Sequence, residues 1–377
     1  MLLPYRKKTR FAPPARAFAA SLGQFAAAAT WRALHPASRE RYLDAPAPPP
    51  LVRKYYRTED GWQAPVFYIE PRPGGSGEPV VLAHALGCSP DAFRYGTGPT
   101  IAATLSRAGF AVYLLAHRGD VDAIPPKPST DFCFDDVVNH DLPAAMAVVR
   151  EHSGFPRAFF VGHGLGGQLG LAFAARNAED LAGLVALNAA VRFEAPRSGA
   201  RRLAQLASLL PAHWRIPIRK LGPAVAPWID ERRDLASHVR PGTSSGSRLR
   251  GAAHHAVEDL PLGLLRQFER WWSTGRLVDR TGQFDYLEAL KLASEGSLLV
   301  GVGAGDAVCP PESALEALDW WSGDREILEM PAHYGHLDSL HASDADKEVF
   351  GPVAQWLLER RRVCWERNVE LRRSASR

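Results

Sequence analysis

Apolar residues recur along this chain in two rhythms. Short unbroken runs, such as Pro79-Val80-Val81-Leu82-Ala83-His84 and Ala158 to Gly162, alternate with longer stretches of helical spacing. A run without a polar gap predicts a strand covered on both faces, because neither side offers a position to water. The pattern predicts further strands over Val52 to Thr58, Pro65 to Glu70, Ala111 to Ala116, Leu184 to Ala190, Ser297 to Gly303 and Arg325 to Met330. Helices are predicted over Thr100 to Ala108, Asp135 to His152 (with Pro143 interrupting the pattern), Gly166 to Asn177, Pro311 to Trp320 and Ala345 to Arg362. Asp60-Gly61 favours a hairpin turn between the first two strands. Such alternation implies right-handed crossovers and a mainly parallel central sheet with helices on both faces, an α/β fold.

The alternation breaks between residues 192 and 292. This stretch is too long for a plain loop in a compact domain, and Leu260 to Trp272 within it has helical spacing. We read it as an inserted helical cap over the carboxyl edge of the sheet, the core then being residues 51–191 and 293–365. Trp214, Trp228, Phe268, Trp271, Trp272 and Phe284 either line an apolar cleft beneath the cap or glue it to the core. Ala45-Pro46-Ala47-Pro48-Pro49-Pro50 is a stiff spacer that closes an N-terminal arm, residues 1–50, and residues 366–377 form a basic tail.

Charge changes the picture at the arm. Met1 to Arg39 holds seven basic residues and no acidic one, which suits anionic lipid or an acidic partner as well as a solvated tail. Pro13, Pro14 and Arg16 interrupt the apolar core that a cleaved signal peptide needs. Elsewhere the chain has 46% hydrophobic and 23% charged residues with a formal charge of +4, too small to imply a nucleic-acid partner. Four widely spaced cysteines form no CxxC pair, so a reducing cytoplasm is the default. No apolar run is long enough to span a bilayer.

The segment Phe159-Phe160-Val161-Gly162-His163-Gly164-Leu165-Gly166-Gly167 carries the most chemistry. An apolar strand passes through small residues straight into a helix. In a nucleophile elbow, G-x-S-x-G, this turn lifts a serine above the sheet. Here Gly162 and Gly166 flank a glycine, Gly164, in the serine's place. Glycine adopts the positive φ of such a turn without a Cβ clash, so the exchange keeps the fold and removes the attacking oxygen. The same residues also spell GxGxxG, the dinucleotide fingerprint. That alternative wants the motif near the start of its domain and a carboxylate ending the next strand. Several strands precede the motif, and Leu187-Asn188-Ala189 has no carboxylate. Val80 to Gly87, with His84, resembles a strand and loop that supply half of an oxyanion hole, its backbone donors being Leu86 and Leu165.

The chain from about Arg53 to Arg362 resembles the α/β-hydrolases of esterase/lipase type, near the acid-lipase and polyhydroxyalkanoate-synthase-like branch. The likeness rests on the elbow, on Asp131-Phe132-Cys133-Phe134-Asp135-Asp136 with His140-Asp141-Leu142-Pro143-Ala144, on Gly305-Asp306, and on Gly335-His336-Leu337-Asp338. It implies that Asp306 orients His336 and that His336 acts as base, in the order elbow, acid, histidine. Two residues depart from the pattern: Gly164, and Ala85 in place of the usual glycine after the oxyanion-loop histidine. The second is expected to matter little, since backbone N–H groups are the donors. Three functions follow: an apolar ester- or acyl-like ligand bound with little or no hydrolysis; a hydrolase whose His336 and Asp306 activate water, or whose nucleophile is displaced to Cys88 or Ser89; or a dinucleotide binder. No cofactor is expected. His333, His336, Asp338 and His341 cluster in sequence without the defined ligand set of a metal site, so no metal is expected there. His254-His255 reads as structural.

Overall fold

The computed structural model describes residues 51–95, 98–194, 209–220, 239–240, 242–244, 246–293 and 296–361. The basic arm, the basic tail, Trp228 and much of the first half of the insertion lie outside them.

Strands β1 (Val52–Arg57) and β2 (Gln63–Ile69) form an antiparallel hairpin in which Val52 faces Tyr68 and Arg57 faces Gln63. Its turn holds Gly61 at φ 92°, and the Thr58 hydroxyl accepts the Trp62 N–H at 2.9 Å. β3 (Pro79–Ala83), β4 (Ala111–Leu115), β5 (Ala158–His163) and β6 (Leu181–Leu187) follow. After the insertion, which holds the short pair β7 (Arg215–Ile216) and β8 (Leu260–Pro261), come β9 (Ser297–Gly303) and β10 (Asp324–Met330). Eight strands make one sheet in the order β1-β2-β4-β3-β5-β6-β9-β10. β2 is antiparallel to both neighbours while the other pairings are parallel, so β2 alone runs against the rest.

Every residue of β3, β4 and β5 is buried, as their unbroken apolar runs require. Alternate side chains serve different layers. Val81, Ala83 and Phe160 enter one core, and Val80, Leu82, Phe159 and Val161 enter the other. The helices that cover the sheet begin with α1 (Ile101–Ala108), whose Thr100 hydroxyl caps the Ala103 N–H at 3.3 Å and which ends at Gly109 with φ 102°. α2 (Leu142–Ser153) and α3 (Leu165–Asn177) follow, and α3 is buried from Leu165 to Ala175.

The predicted helix over Asp135 to His152 is interrupted differently from a simple break. A helical turn at Phe134–Asp136 widens into a π turn over Val137–Asp141 before α2 begins, and the Leu142 N–H reaches back to the Val137 carbonyl. Pro143 lacks an N–H and its ring crowds the carbonyl four residues earlier, so a tight helix cannot pass through it. The extra residue relieves that crowding. It also turns the Asp141 carboxylate inward onto Arg118, whose Nε and backbone N–H both donate to it at 2.7 Å. The last helix is likewise preceded by a π turn, Asp346–Phe350.

Within the insertion, α4 (Gly246–His255), α5 (Leu262–Thr274) and α6 (Tyr286–Ala293) are described. Residues 256–258 run along the loop that leaves β3: Val257 bridges Cys88, Ser89 N–H donates to Ala256 O at 2.8 Å, and Glu258 N–H to Gly87 O at 2.9 Å. Arg215 donates to Gly119 O in the loop after β4 at 2.6 Å. Most of the described aromatic residues glue the insertion to the core. Trp271 is fully buried, with Phe134 edge-on and Phe193 stacked, both at 4.9 Å. Phe268, Trp272 and Phe284 pack on the same core, and Trp214 is half exposed. No helix among the described residues is long and apolar enough to cross a membrane.

Candidate active site

The turn from β5 to α3 is built from close backbone contacts. A Cβ on Gly166 would sit 1.9 Å from the Ala83 carbonyl oxygen, and one on Gly162 would sit 2.3 Å from the Gly166 carbonyl carbon. Only glycine permits that approach. Between them Gly164 has φ 54° and ψ −118°, a conformation that strains any residue with a side chain. Its N–H donates to Leu187 O at 2.9 Å and its carbonyl accepts from Gly167 and Gln168, which starts α3. A side chain at Gly164 would point at His336: an ideal Cβ lies 3.1 Å from His336 Nε2. It would also lie 3.0 Å from the Ala85 methyl. Ala85, expected to matter little, therefore occupies the room of the missing side chain. Backbone donors alone did not reveal this, because the effect is steric.

Asp306 and His336, thirty residues apart, meet at the carboxyl edge of the sheet. His336 Nδ1 lies 2.8 Å from Asp306 Oδ2. The Asp306 carboxylate is held by three further donors: the Val308 and Cys309 N–H groups on Oδ1, each at 2.8 Å, and Asn188 Nδ2 on Oδ2 at 2.7 Å. Sequence reasoning passed over Asn188. Its φ of 51° is the only positive value of a non-glycine among the described residues, and asparagine is one of the few residues that tolerate it. His163 supports the other partner, with Nε2 donating to the His336 carbonyl at 2.9 Å. Burial, and then the neighbouring His336, push the His163 pKa down to about 3, so its ring stays neutral. Asp338 fixes the loop itself, accepting from Gly335 N–H at 2.6 Å, Thr243 Oγ1 at 2.6 Å and Arg240 N–H at 2.9 Å.

The loop after β3 is braced from behind. Both nitrogens of buried His84 face acceptors: Nδ1 lies 3.0 Å from Ala85 O and Nε2 lies 3.1 Å from Asp120 Oδ2. Two acceptors favour the charged form of the ring, paired with Asp120. Burial opposes that charge, but the Asp120 carboxylate outweighs it and raises the His84 pKa. Burial likewise opposes the carboxylate, yet His117 and His84 hold Asp120 below its ordinary value. His117 stacks on His84 at 4.8 Å, and burial lowers its pKa. Since Ala85 O accepts from His84 and from Cys88 N–H, the trans peptide turns the Leu86 N–H the opposite way. Neither it nor the Leu165 N–H donates to another backbone group among the described residues.

The profile of the family described as alpha/beta hydrolase fold matches residues 78–342. The chain belongs to the α/β-hydrolase fold family. Its core overlays solved members at low identity. DcsB, seen with a substrate analogue, is 18% identical with a TM-score of 0.57, over 83% of this chain and 98% of that one. A soluble variant of monoglyceride lipase from Saccharomyces cerevisiae, also with a substrate analogue, is 17% identical with a TM-score of 0.57, over 84% and 99%. A thermophilic esterase from Thermogutta terrifontis is 18% identical with a TM-score of 0.54, over 82% and 99%. Among curated proteins none matches.

In this hydrolase fold the GxGxxG pattern is accounted for by packing of the strand against the helix. Gly162 meets the backbone of α3 and Gly167 the Ala189 methyl, its strand is fifth in the chain, and β6 runs into Asn188 with no carboxylate. The histidines after β10 form no group of metal-ligand spacing among the described residues. His333 is exposed and Asp338 is consumed by the loop, while His341 is buried with its pKa pushed down to about 3 by burial. The one His/Cys/Asp/Glu group of metal-ligand spacing among the described residues is His84, His117 and Asp120, with ligand atoms within 4.8 Å of one another. No sequence motif marked it, because its members come from the ends of two adjacent strands. Within it His84 Nε2 and Asp120 Oδ2 are a hydrogen-bonded pair at 3.1 Å. The displaced-nucleophile candidates are tied elsewhere. Burial pushes the Cys88 thiol up to about 12, and Ser89 Oγ donates to His255 O at 3.3 Å. His255 stacks on Tyr95 at 4.7 Å, a structural contact.

Proposed function

We propose that the chain binds an apolar acyl- or ester-like ligand above Gly164 and hydrolyses esters little or not at all. One observation carries this reading. His336 Nε2 points at the elbow, 3.1 Å from where a Cβ would be, and the residue there is glycine. Asp306 as orienting acid, His336 as base, and the Leu86 and Leu165 N–H groups as oxyanion donors are the residues of an acyl-transfer site, with the elbow turn (Gly162, His163, Gly166) and His84 supporting them. The step they lack is the attack. A serine triad stripped of its members keeps only about 10³–10⁴-fold over water, from binding and the oxyanion hole. The monoglyceride lipase and DcsB structures, each with a substrate analogue, support a small ligand for a chain of this fold. The basic residues of the arm support a peripheral contact with anionic lipid.

The test is turnover of p-nitrophenyl acetate, octanoate and palmitate beside displacement of a dansyl-undecanoyl probe by methyl octanoate. The expected result is displacement without saturable turnover. Rapid turnover that His336→Ala abolishes would replace this reading with the water-activating hydrolase.

A further inference from the structure

The space above Gly164 has two distinct polar walls. One is formed by N–H groups that the fold leaves over: Leu165, the first residue of a thirteen-residue helix, and Leu86, whose peptide is held from behind by the His84 ring. The N-terminus of α3 adds its positive potential, and the first turn carries no acidic residue to quench it. The other wall is His336 Nε2, on a side chain nine-tenths buried, with no partner for that nitrogen among the described residues. Arg240 brings a further cation close, donating to Gly305 O beside Asp306 at 2.7 Å.

Ligand classes fit these walls unequally. An ester places its carbonyl oxygen on the N–H groups, but its second oxygen is a poor acceptor and carries an alkyl group. A carboxylate has two equivalent anionic oxygens about 2.2 Å apart, as its bond lengths and angle dictate. One takes the oxyanion donors, and the other takes the place a serine oxygen would hold, facing His336. There His336 Nε2 faces the oxygen, its ring held by the Asp306 carboxylate on Nδ1 at 2.8 Å, which makes this wall a donor for an anion. A serine hydroxyl would fill that second place; glycine leaves it to the ligand.

We infer that this site selects the free carboxylate of an acyl chain over its ester. The inference rests on the proposed acyl-binding function and narrows its ligand class. The experiment measures displacement of the dansyl-undecanoyl probe from the full chain by octanoate, methyl octanoate and 1-octanol, below their aggregation limits. Octanoate should compete at least tenfold better than methyl octanoate, and octanol worst. In His336→Phe, octanoate should lose its advantage and compete no better than methyl octanoate. Asp306→Asn, which leaves the imidazole in place, should erode the preference as well. Equal competition by octanoate and methyl octanoate would overturn the carboxylate inference and leave the acyl-binding function standing. Competition by none of them would overturn that function itself. A preference for octanoate that survives both substitutions would place the carboxylate elsewhere and also defeat the inference.

Discussion

Restoring a serine at the elbow should require two substitutions. In Gly164→Ser the new Cβ enters at φ 54°, which costs on the order of 1–3 kcal/mol in backbone strain. It also meets the Ala85 methyl at 3.0 Å and His336 Nε2 at 3.1 Å, and overpacking of that kind costs about 1–3 kcal/mol more. Together these approach the lower end of a domain's stability, about 5–15 kcal/mol. Ala85→Gly removes the nearer contact at a backbone-entropy cost of roughly 0.5–1 kcal/mol. The double variant should then be less destabilised than the sum of the singles, by a coupling of about 0.5–3 kcal/mol. Urea unfolding of the four proteins measures it. Labelling by a serine-directed phosphonate reads the chemistry: none in the parent, slow in Gly164→Ser, faster in the pair. Strict additivity would show that Ala85 does not crowd the elbow. A folded double variant that resists the probe would mean that His336 and the oxyanion donors are not arranged for acyl transfer.

Other perturbations probe the frame. Arg118→Met strands the fully buried Asp141 carboxylate and should cost about 3–5 kcal/mol, with much of it recovered by adding Asp141→Asn; no recovery on adding it would mean the loss lies in packing. Asn188→Ala loses both a left-handed residue and the bond to Asp306, whereas Asn188→Gly loses only the bond, so the alanine variant should be less stable by about 1 kcal/mol; equal midpoints would refute the backbone argument. Buried His341 is neutral down to about pH 3, but in the unfolded chain it takes a proton below about 6.5. It therefore costs no stability above that value and loses stability as pH falls through the window between them. His341→Gln should flatten stability against pH there by about 1.4 kcal/mol per unit, and parallel curves would contradict the assignment.

Much of this was legible because it is local. The unbroken runs at β3 and β5 are strands since nothing polar interrupts them, and Gly162, Gly164 and Gly166 mark a strand-to-helix turn within five residues. The order of Gly164, Asp306 and His336 followed from resemblance to the family. What the pattern did not disclose depends on partners distant in sequence. Asn188 sits at the end of an ordinary apolar strand and gains meaning only when Asp306 arrives from 118 residues away. His84 reads as a loop histidine until Asp120, from the loop after the next strand over, comes within 3.1 Å of its Nε2. The steric weight of Ala85 is a contact between two chain segments, invisible to any rule about backbone donors. Pro143 announced a disturbance in its helix, but not that a widened turn would aim Asp141 at Arg118.

The glycines around the elbow bear on how such chains are recognised. A methyl on Gly166 would lie 1.9 Å from the Ala83 oxygen and one on Gly167 would lie 2.5 Å from the Ala189 methyl, whatever residue stands at 164. Those positions are held by the closeness of a helix to a strand, and that closeness outlasts any loss of chemistry. A descendant of an esterase could shed its nucleophile and still display the flanking signature indefinitely. Searches keyed to the frame will therefore gather silent members along with active ones, and the single residue the frame encloses is the letter that separates them.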